Sequence, residues 1–143
     1  MNAKQLREGT WALVFDAGDE AFSLLSDWVR EQGIGAARLT AIGAFESAVL
    51  GWFSWEAKEY ERIPVEEQVE VLSLVGDVAL SPDGEPVLHA HAVLGRRGGA
   101  TVGGHFLEGY VRPTLEVVLD EAPAHLRKRE DAETGLALID LGE

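Results

Sequence analysis

The amino-acid pattern of this chain contains one helical segment, and nearly everything after that segment alternates as β-strands do. Between Asp19 and Gly33 the apolar residues recur at the three-to-four-residue spacing of an amphipathic helix. Acidic residues at its start and a glycine after its last turn are typical helix boundaries. Beyond Gly33, short apolar runs separated by turn residues indicate strands. This order predicts an α+β fold with one main helix and a mainly antiparallel sheet.

Seven to eight short strands account for the rest of the pattern. The candidate segments are 9–16, 38–45, 47–55, 58–64, 69–80, 87–94, 100–107 and 110–119. Segment 47–55 is apolar on both faces, and the sheet has more apolar surface than one helix can cover, which favours a partner subunit. The tail, 120–143, mixes charge with a short apolar end. Because the 143 residues show no repeat or linker, we expect a single domain over residues 1–143.

The composition limits the possible classes of function. The chain has no cysteine, so disulfides, cysteine-ligated metal sites and a cysteine nucleophile are excluded. It carries 25 acidic and 12 basic residues, a formal charge of −13, and such a surface repels the phosphate backbone of DNA. No apolar run approaches a membrane span, and the first residues lack a signal-peptide pattern. We therefore expect a cytoplasmic protein without a membrane partner.

Three of the four histidines, His89, His91 and His105, lie within 17 positions. The His-x-His pair on a strand places both rings on one face. If residues 97–99 form the loop of a hairpin, His91 lies directly opposite His105, with Cβ atoms about 4.5–5.5 Å apart. The other face then carries a continuous apolar set, which supports this register. That set is Leu88, Ala90, Ala92, Leu94, Val102 and Phe106.

Three neutral imidazoles that converge on one point predict a site for a divalent metal, for which zinc is the preferred candidate. Glu108 is expected to orient one of the rings or to act as a ligand. The alternative is a polar histidine cluster at a subunit contact or in solvent. His125 lies in the charged tail and is expected to be solvated. The sequence shows no phosphate-binding loop or nucleophile-elbow motif, so no catalytic residue or organic cofactor site is assigned.

Several of these segments together resemble the PPC domain (plant and prokaryote conserved), which accompanies AT-hooks in plant nuclear proteins. The matching segments include Ile42-Gly43-Ala44-Phe45, His89-Ala90-His91, Gly103-Gly104-His105-Phe106-Leu107-Glu108-Gly109 and Thr114-Leu115-Glu116-Val117-Val118-Leu119. The resemblance is to a bacterial stand-alone member of the family. It implies an α+β subunit that assembles as a homotrimer, with the histidine cluster near the subunit junction, where a metal can be held. The chain has no Arg-Gly-Arg-Pro hook, so direct DNA binding is not expected.

Three functions remain open at this point. The first is a trimeric interaction or regulatory module that binds a metal or small ligand at the histidines and contacts a protein partner not yet identified. The second is a DNA-binding regulatory protein, which is how bacterial members of the PPC domain family are commonly described. The third is a metal-dependent enzyme that uses an open coordination position, with Glu108 as the nearby base. We favour the first, because catalytic sites usually show more than one convergent acid–base group.

Overall fold

A single sheet of nine strands and one helix make up the computed structural model of the protein, which describes residues 1–142. The elements are β1 (Asn2–Arg7), β2 (Thr10–Asp16), α1 (Ala21–Gln32), β3 (Ala36–Ser54), β4 (Glu59–Val65), β5 (Val69–Leu80), β6 (Pro86–Gly95), β7 (Thr101–Glu121), β8 (Arg127–Glu130) and β9 (Ala137–Asp140). The pairings are antiparallel except for one contact between β5 and β8. The α+β class, the single main helix and the mainly antiparallel sheet are confirmed, with nine strands rather than seven or eight.

In two places, two neighbouring strands predicted from the sequence form one long strand in the structure. Segments 38–45 and 47–55 both belong to β3, and segments 100–107 and 110–119 both belong to β7. The pairing of β3 with β7 contains three register shifts within these strands. A β-bulge inserts a residue and reverses the alternation of faces without ending the strand. In the sequence such a reversal looks like a strand boundary, which explains the extra breaks.

Four strands pair in a closed circle that surrounds the core. β3 pairs with β5, β5 with β6, β6 with β7, and β7 again with β3. Side chains on the enclosed face are buried, and the rings of Phe45 and Phe106 stack there with centroids 5.6 Å apart. Side chains on the other face point away from this core. The closure therefore decides which face of the β6–β7 hairpin remains available for ligands.

The helix contributes a buried stripe made of Leu25, Trp28 and Val29. Its N-cap is Glu20, one residue after the predicted Asp19, and the Glu20 carboxylate accepts hydrogen bonds from two backbone N–H groups of the first turn. Its C-cap is Gly33, as predicted, with a left-handed φ of 67°. The described helix is not long and apolar enough to cross a membrane.

Three strands were not predicted from the sequence. All six residues of β1 are exposed, so that strand has no apolar alternation to reveal it. β8 and β9 form a hairpin from the charged tail, joined to the sheet where Arg127 pairs with Leu80 of β5. These strands exist because the edge of a neighbouring strand supplies hydrogen bonds, which the local sequence does not encode.

Candidate metal centre

The β6–β7 hairpin has the predicted register. His91 pairs directly with His105, and the Arg96 N–H donates to the Ala100 carbonyl oxygen at 2.7 Å where the loop begins. The alternating apolar set is buried on the opposite face, with only Val102 half-buried. The three histidines consequently share the face that points away from the core.

The three imidazole rings form a compact cluster. One ring nitrogen from each of His89, His91 and His105 lies within 4.8 Å of the others, and the two Nε2 atoms of His89 and His91 are 3.2 Å apart. A tetrahedral ion with nitrogen ligands at about 2.0–2.1 Å holds neighbouring nitrogens about 3.3 Å apart. The spacing of this pair is thus close to that of two ligands on one metal ion.

Asp77 on β5 orients the first of these rings. Asp77 pairs with His89 across the β5–β6 ladder, and the His89 Nδ1–H donates to Asp77 Oδ2 at 3.3 Å. This hydrogen bond leaves the lone pair of Nε2 directed at the cluster, the arrangement that metal-binding histidines usually have. Asp77 was not predicted from the sequence, although an aspartate inside an apolar strand, with a tight turn at residues 81–84 leading to the histidine strand, is a signal for it.

Glu108 does not take the orienting position expected of it. Its carboxylate pairs with the Arg62 guanidinium of β4, and among residues 1–142 no hydrogen bond joins it to a histidine. The register of β7 against β3 shifts between Val49 and Leu50, so residues beyond His105 are displaced along the sheet. Because the bulge reverses the alternation, Phe106 and Gly109 are both buried while Glu108 faces outward, where the Arg62 guanidinium holds its carboxylate.

Tyr60 of β4 packs on the cluster from the other side. Its ring stacks on the His105 imidazole, with centroids 4.4 Å apart. The strand between them contributes Gly51, where an added Cβ would lie 3.0 Å from Tyr60 Cδ1. Because Gly51 has no side chain, the tyrosine reaches across β3 to His105. No local pattern in the sequence indicates this contact.

Burial favours the neutral, metal-binding form of two of the three imidazoles, those of His91 and His105. Burial, together with the neighbouring His89 and His91, lowers the pKa of His105 to about 4. Burial also lowers the pKa of His91. Although burial opposes it, the hydrogen bond from His89 lowers the pKa of Asp77, so that carboxylate is ionised. At neutral pH the His91 and His105 rings are ready to act as ligands without first losing a proton.

Two polar atoms beside the cluster are buried without a hydrogen-bond partner in the described residues: His105 Nδ1 and Asp77 Oδ1. Such atoms are unusual, because leaving a buried polar group unpaired is unfavourable. Together with three convergent nitrogen donors, they fit a borderline-soft divalent ion such as zinc. His125, the remaining histidine, is exposed as expected, and its ring lies against Gly35.

A cavity of about 540 Å³ opens next to the histidines. His89 and His105 form part of its wall, and Lys128 of β8 and the residues of β9 also line it. The positive charge of Lys128 contributes to lowering the pKa of both Asp77 and His105. The pocket therefore gives access to His89 and His105, whereas the exposed His91 is not part of its lining.

Replacing Asp77 by asparagine is expected to lower zinc affinity by roughly 10- to 100-fold, because His89 loses the carboxylate that holds its tautomer and raises its basicity. Calorimetric titration of metal-free protein with Zn²⁺ measures this change. Asp83→Asn, in the exposed turn between β5 and β6, is the matched control and should bind as the unchanged protein does. Equal affinities for the two variants would contradict an orienting role for Asp77.

Comparison with known proteins gives a consistent set of relatives. The family model of the Plants and Prokaryotes Conserved (PCC) domain matches residues 4–123. A structure of a metal-containing protein from Archaeoglobus fulgidus is 34% identical, with a TM-score of 0.82 over 91% of both chains. A plant- and prokaryote-conserved protein from Pyrococcus horikoshii is 31% identical, with a TM-score of 0.84 over 94% of this chain and 92% of that one.

A third structure shares the fold at lower identity. It is a candidate DNA-binding protein from Bacteroides thetaiotaomicron, 23% identical, with a TM-score of 0.91 over 97% of this chain and 96% of that one. No curated protein sequence matches the chain significantly.

Proposed function

Because this chain belongs to the Plants and Prokaryotes Conserved domain family, we propose that it is a trimeric interaction or regulatory module that holds one zinc ion per subunit. The observation that carries this proposal is the cluster of His89, His91 and His105 on the face away from the core. Asp77 orients His89, and the pKa of His91 and that of His105 are lowered, as a nitrogen-donor site requires. When bound, the metal would supply a Lewis-acidic position for a small anionic ligand.

The outward face of the sheet supports association between subunits. Val75, half exposed, pairs with His91 on one side and with Thr40 on the other, and Thr40 also pairs with the exposed Val118 of β7. Val93, two residues from His91, is exposed as well. Monomeric proteins rarely leave such neighbouring apolar side chains uncovered. A second and third copy of the chain would cover them in the trimer that we propose.

The purified protein is expected to have a mass three times the 15.5 kDa of one chain, and to contain one equivalent of zinc per chain after incubation with the metal and dialysis. Light scattering gives the mass and elemental analysis gives the metal. A monomeric mass at micromolar concentration would contradict the trimer. Substoichiometric zinc would contradict the metal site, whatever the mass.

DNA binding is the second candidate function, favoured by the description of the Bacteroides thetaiotaomicron structure. The charge of this chain opposes it, and six of its nine arginines pair with carboxylates, among them Arg96 with Glu67 and Arg129 with Asp140. We expect no sub-micromolar binding to duplex DNA at physiological salt, because few cations are free to displace counterions. Fluorescence anisotropy over a salt series tests this, and tight, salt-sensitive binding would favour the DNA function instead.

Metal-dependent catalysis would need a free general base beside the metal, and neither nearby carboxylate is free. Glu108, the expected base, is engaged by Arg62. Asp77, the carboxylate that does contact the cluster, is committed to His89. A general base must be within reach of the proton it removes. No catalytic residue is therefore assigned.

A further inference from the structure

Part of the lining of the cavity beside the histidine cluster comes from residues outside the range that matches the family model. The PCC match ends at residue 123, whereas β8 and β9 lie beyond it, and both contribute to the cavity lining. Leu136, Leu138 and Ile139 supply apolar surface in this part of the lining. The shape and chemistry of the cavity are thus set in part by a segment that lies outside the family match.

The lining of the cavity combines two kinds of side chains. His89, His105 and Lys128 supply polar groups, and the side chains of β9 and Val87 of β6 supply aliphatic surface. Within residues 1–142 no carboxylate lies within ion-pair distance of Lys128, whereas its neighbour Arg129 pairs with Asp140. A free ammonium group that lines an apolar cavity is suited to an anion attached to a hydrocarbon body.

We propose that this cavity binds a small aliphatic monocarboxylate, with the carboxylate beside Lys128 and the histidines and the hydrocarbon chain along β9. The inference rests on the proposed function in one respect. The Asp77 carboxylate also lines the cavity and repels an anion, so the charge of a bound zinc ion is needed for full affinity. The volume of about 540 Å³ lies in the range of small-molecule sites.

Hexanoate is a suitable probe, and its binding to zinc-loaded and metal-free protein can be measured by calorimetry. We expect saturable binding of one hexanoate per chain to the zinc-loaded form, and weaker binding to the metal-free form. Butanoate should bind on the order of tenfold more weakly, because two fewer methylenes are buried. Hexylamine, with the same body and the opposite charge, should not bind.

Two variants test the polar and the aliphatic parts of the lining. Lys128→Met and Leu138→Asp should each weaken hexanoate binding at least about fivefold while retaining stoichiometric zinc. Leu141→Asp is the matched control for the second variant, because Leu141 is 86% exposed and does not line the cavity. It should bind hexanoate as the unchanged protein does.

The outcomes separate this inference from the proposed function. Stoichiometric zinc without saturable hexanoate binding would overturn the carboxylate site and leave the metal site standing. The same result is expected if another copy of the chain fills the cavity. Equal affinities for butanoate and hexanoate would show coordination to the metal without a role for β9, and would also overturn it. Hexanoate binding that depends on Lys128 in a protein that fails to bind zinc would support the cavity and contradict the metal site.

Discussion

Replacing His91 by alanine is expected to lower zinc affinity by more than about 100-fold and to leave the fold intact. The change removes one of three nitrogen donors, and loss of a group that merely orients a ligand already lowers affinity 10- to 100-fold. The His91 ring is exposed and its Nε2 lies 3.2 Å from that of His89, so its removal opens no cavity in the core. Calorimetric titration of the metal-free variant with Zn²⁺ measures the loss.

The control for this variant is His125→Ala, which removes the one histidine outside the cluster. It should bind zinc with the affinity and stoichiometry of the unchanged protein. Urea unfolding of metal-free His91→Ala should give a free energy within about 1 kcal/mol of the unchanged protein, as is usual for exposed positions. If the unchanged protein and His91→Ala both give weak, non-stoichiometric heats, the histidines are a polar cluster and not a metal site.

Replacing Phe106 by alanine should lower the free energy of unfolding by about 3–5 kcal/mol, the range for a fully buried aromatic residue. Phe106 is 1% exposed and follows His105 on β7. Its ring stacks on Phe45 at 5.6 Å, and the ring of Phe22 of α1 meets it edge-on at 5.9 Å. The substitution therefore removes contacts that join the helix, β3 and β7 directly beneath the metal centre.

Urea denaturation at one protein concentration, followed by circular dichroism, measures this loss and keeps any effect of association constant. Leu141→Ala, at an exposed position in the tail, should change stability by less than about 0.5 kcal/mol. A loss below about 1.5 kcal/mol for Phe106→Ala would mean that the core around this residue is not packed as the structure shows.

The β6–β7 hairpin was predictable because both of its signals are local. The alternation of apolar residues fixes which face is buried, and a short loop fixes which residues pair. His91 opposite His105, the buried set ending at Phe106 and the helix end at Gly33 follow from such signals, and the structure confirms them. The resemblance to the plant and prokaryote conserved domain, carried by the same glycine and histidine segments, is confirmed by the family match.

The identity of the groups that contact the histidines depends on pairings between strands that are distant in the sequence. Asp77 reaches His89 because β5 lies beside β6, and Tyr60 reaches His105 because β3 contributes only Gly51 between them. Glu108 meets Arg62 on the outward face because a bulge in β7 reverses the alternation, and in the sequence that reversal looks like the end of a strand. Local alternation and a short loop are enough to specify which side chains share a face within one hairpin. Only the closure of the sheet decided which carboxylate, aromatic ring and lysine meet them, because those contacts join strands far apart in the chain.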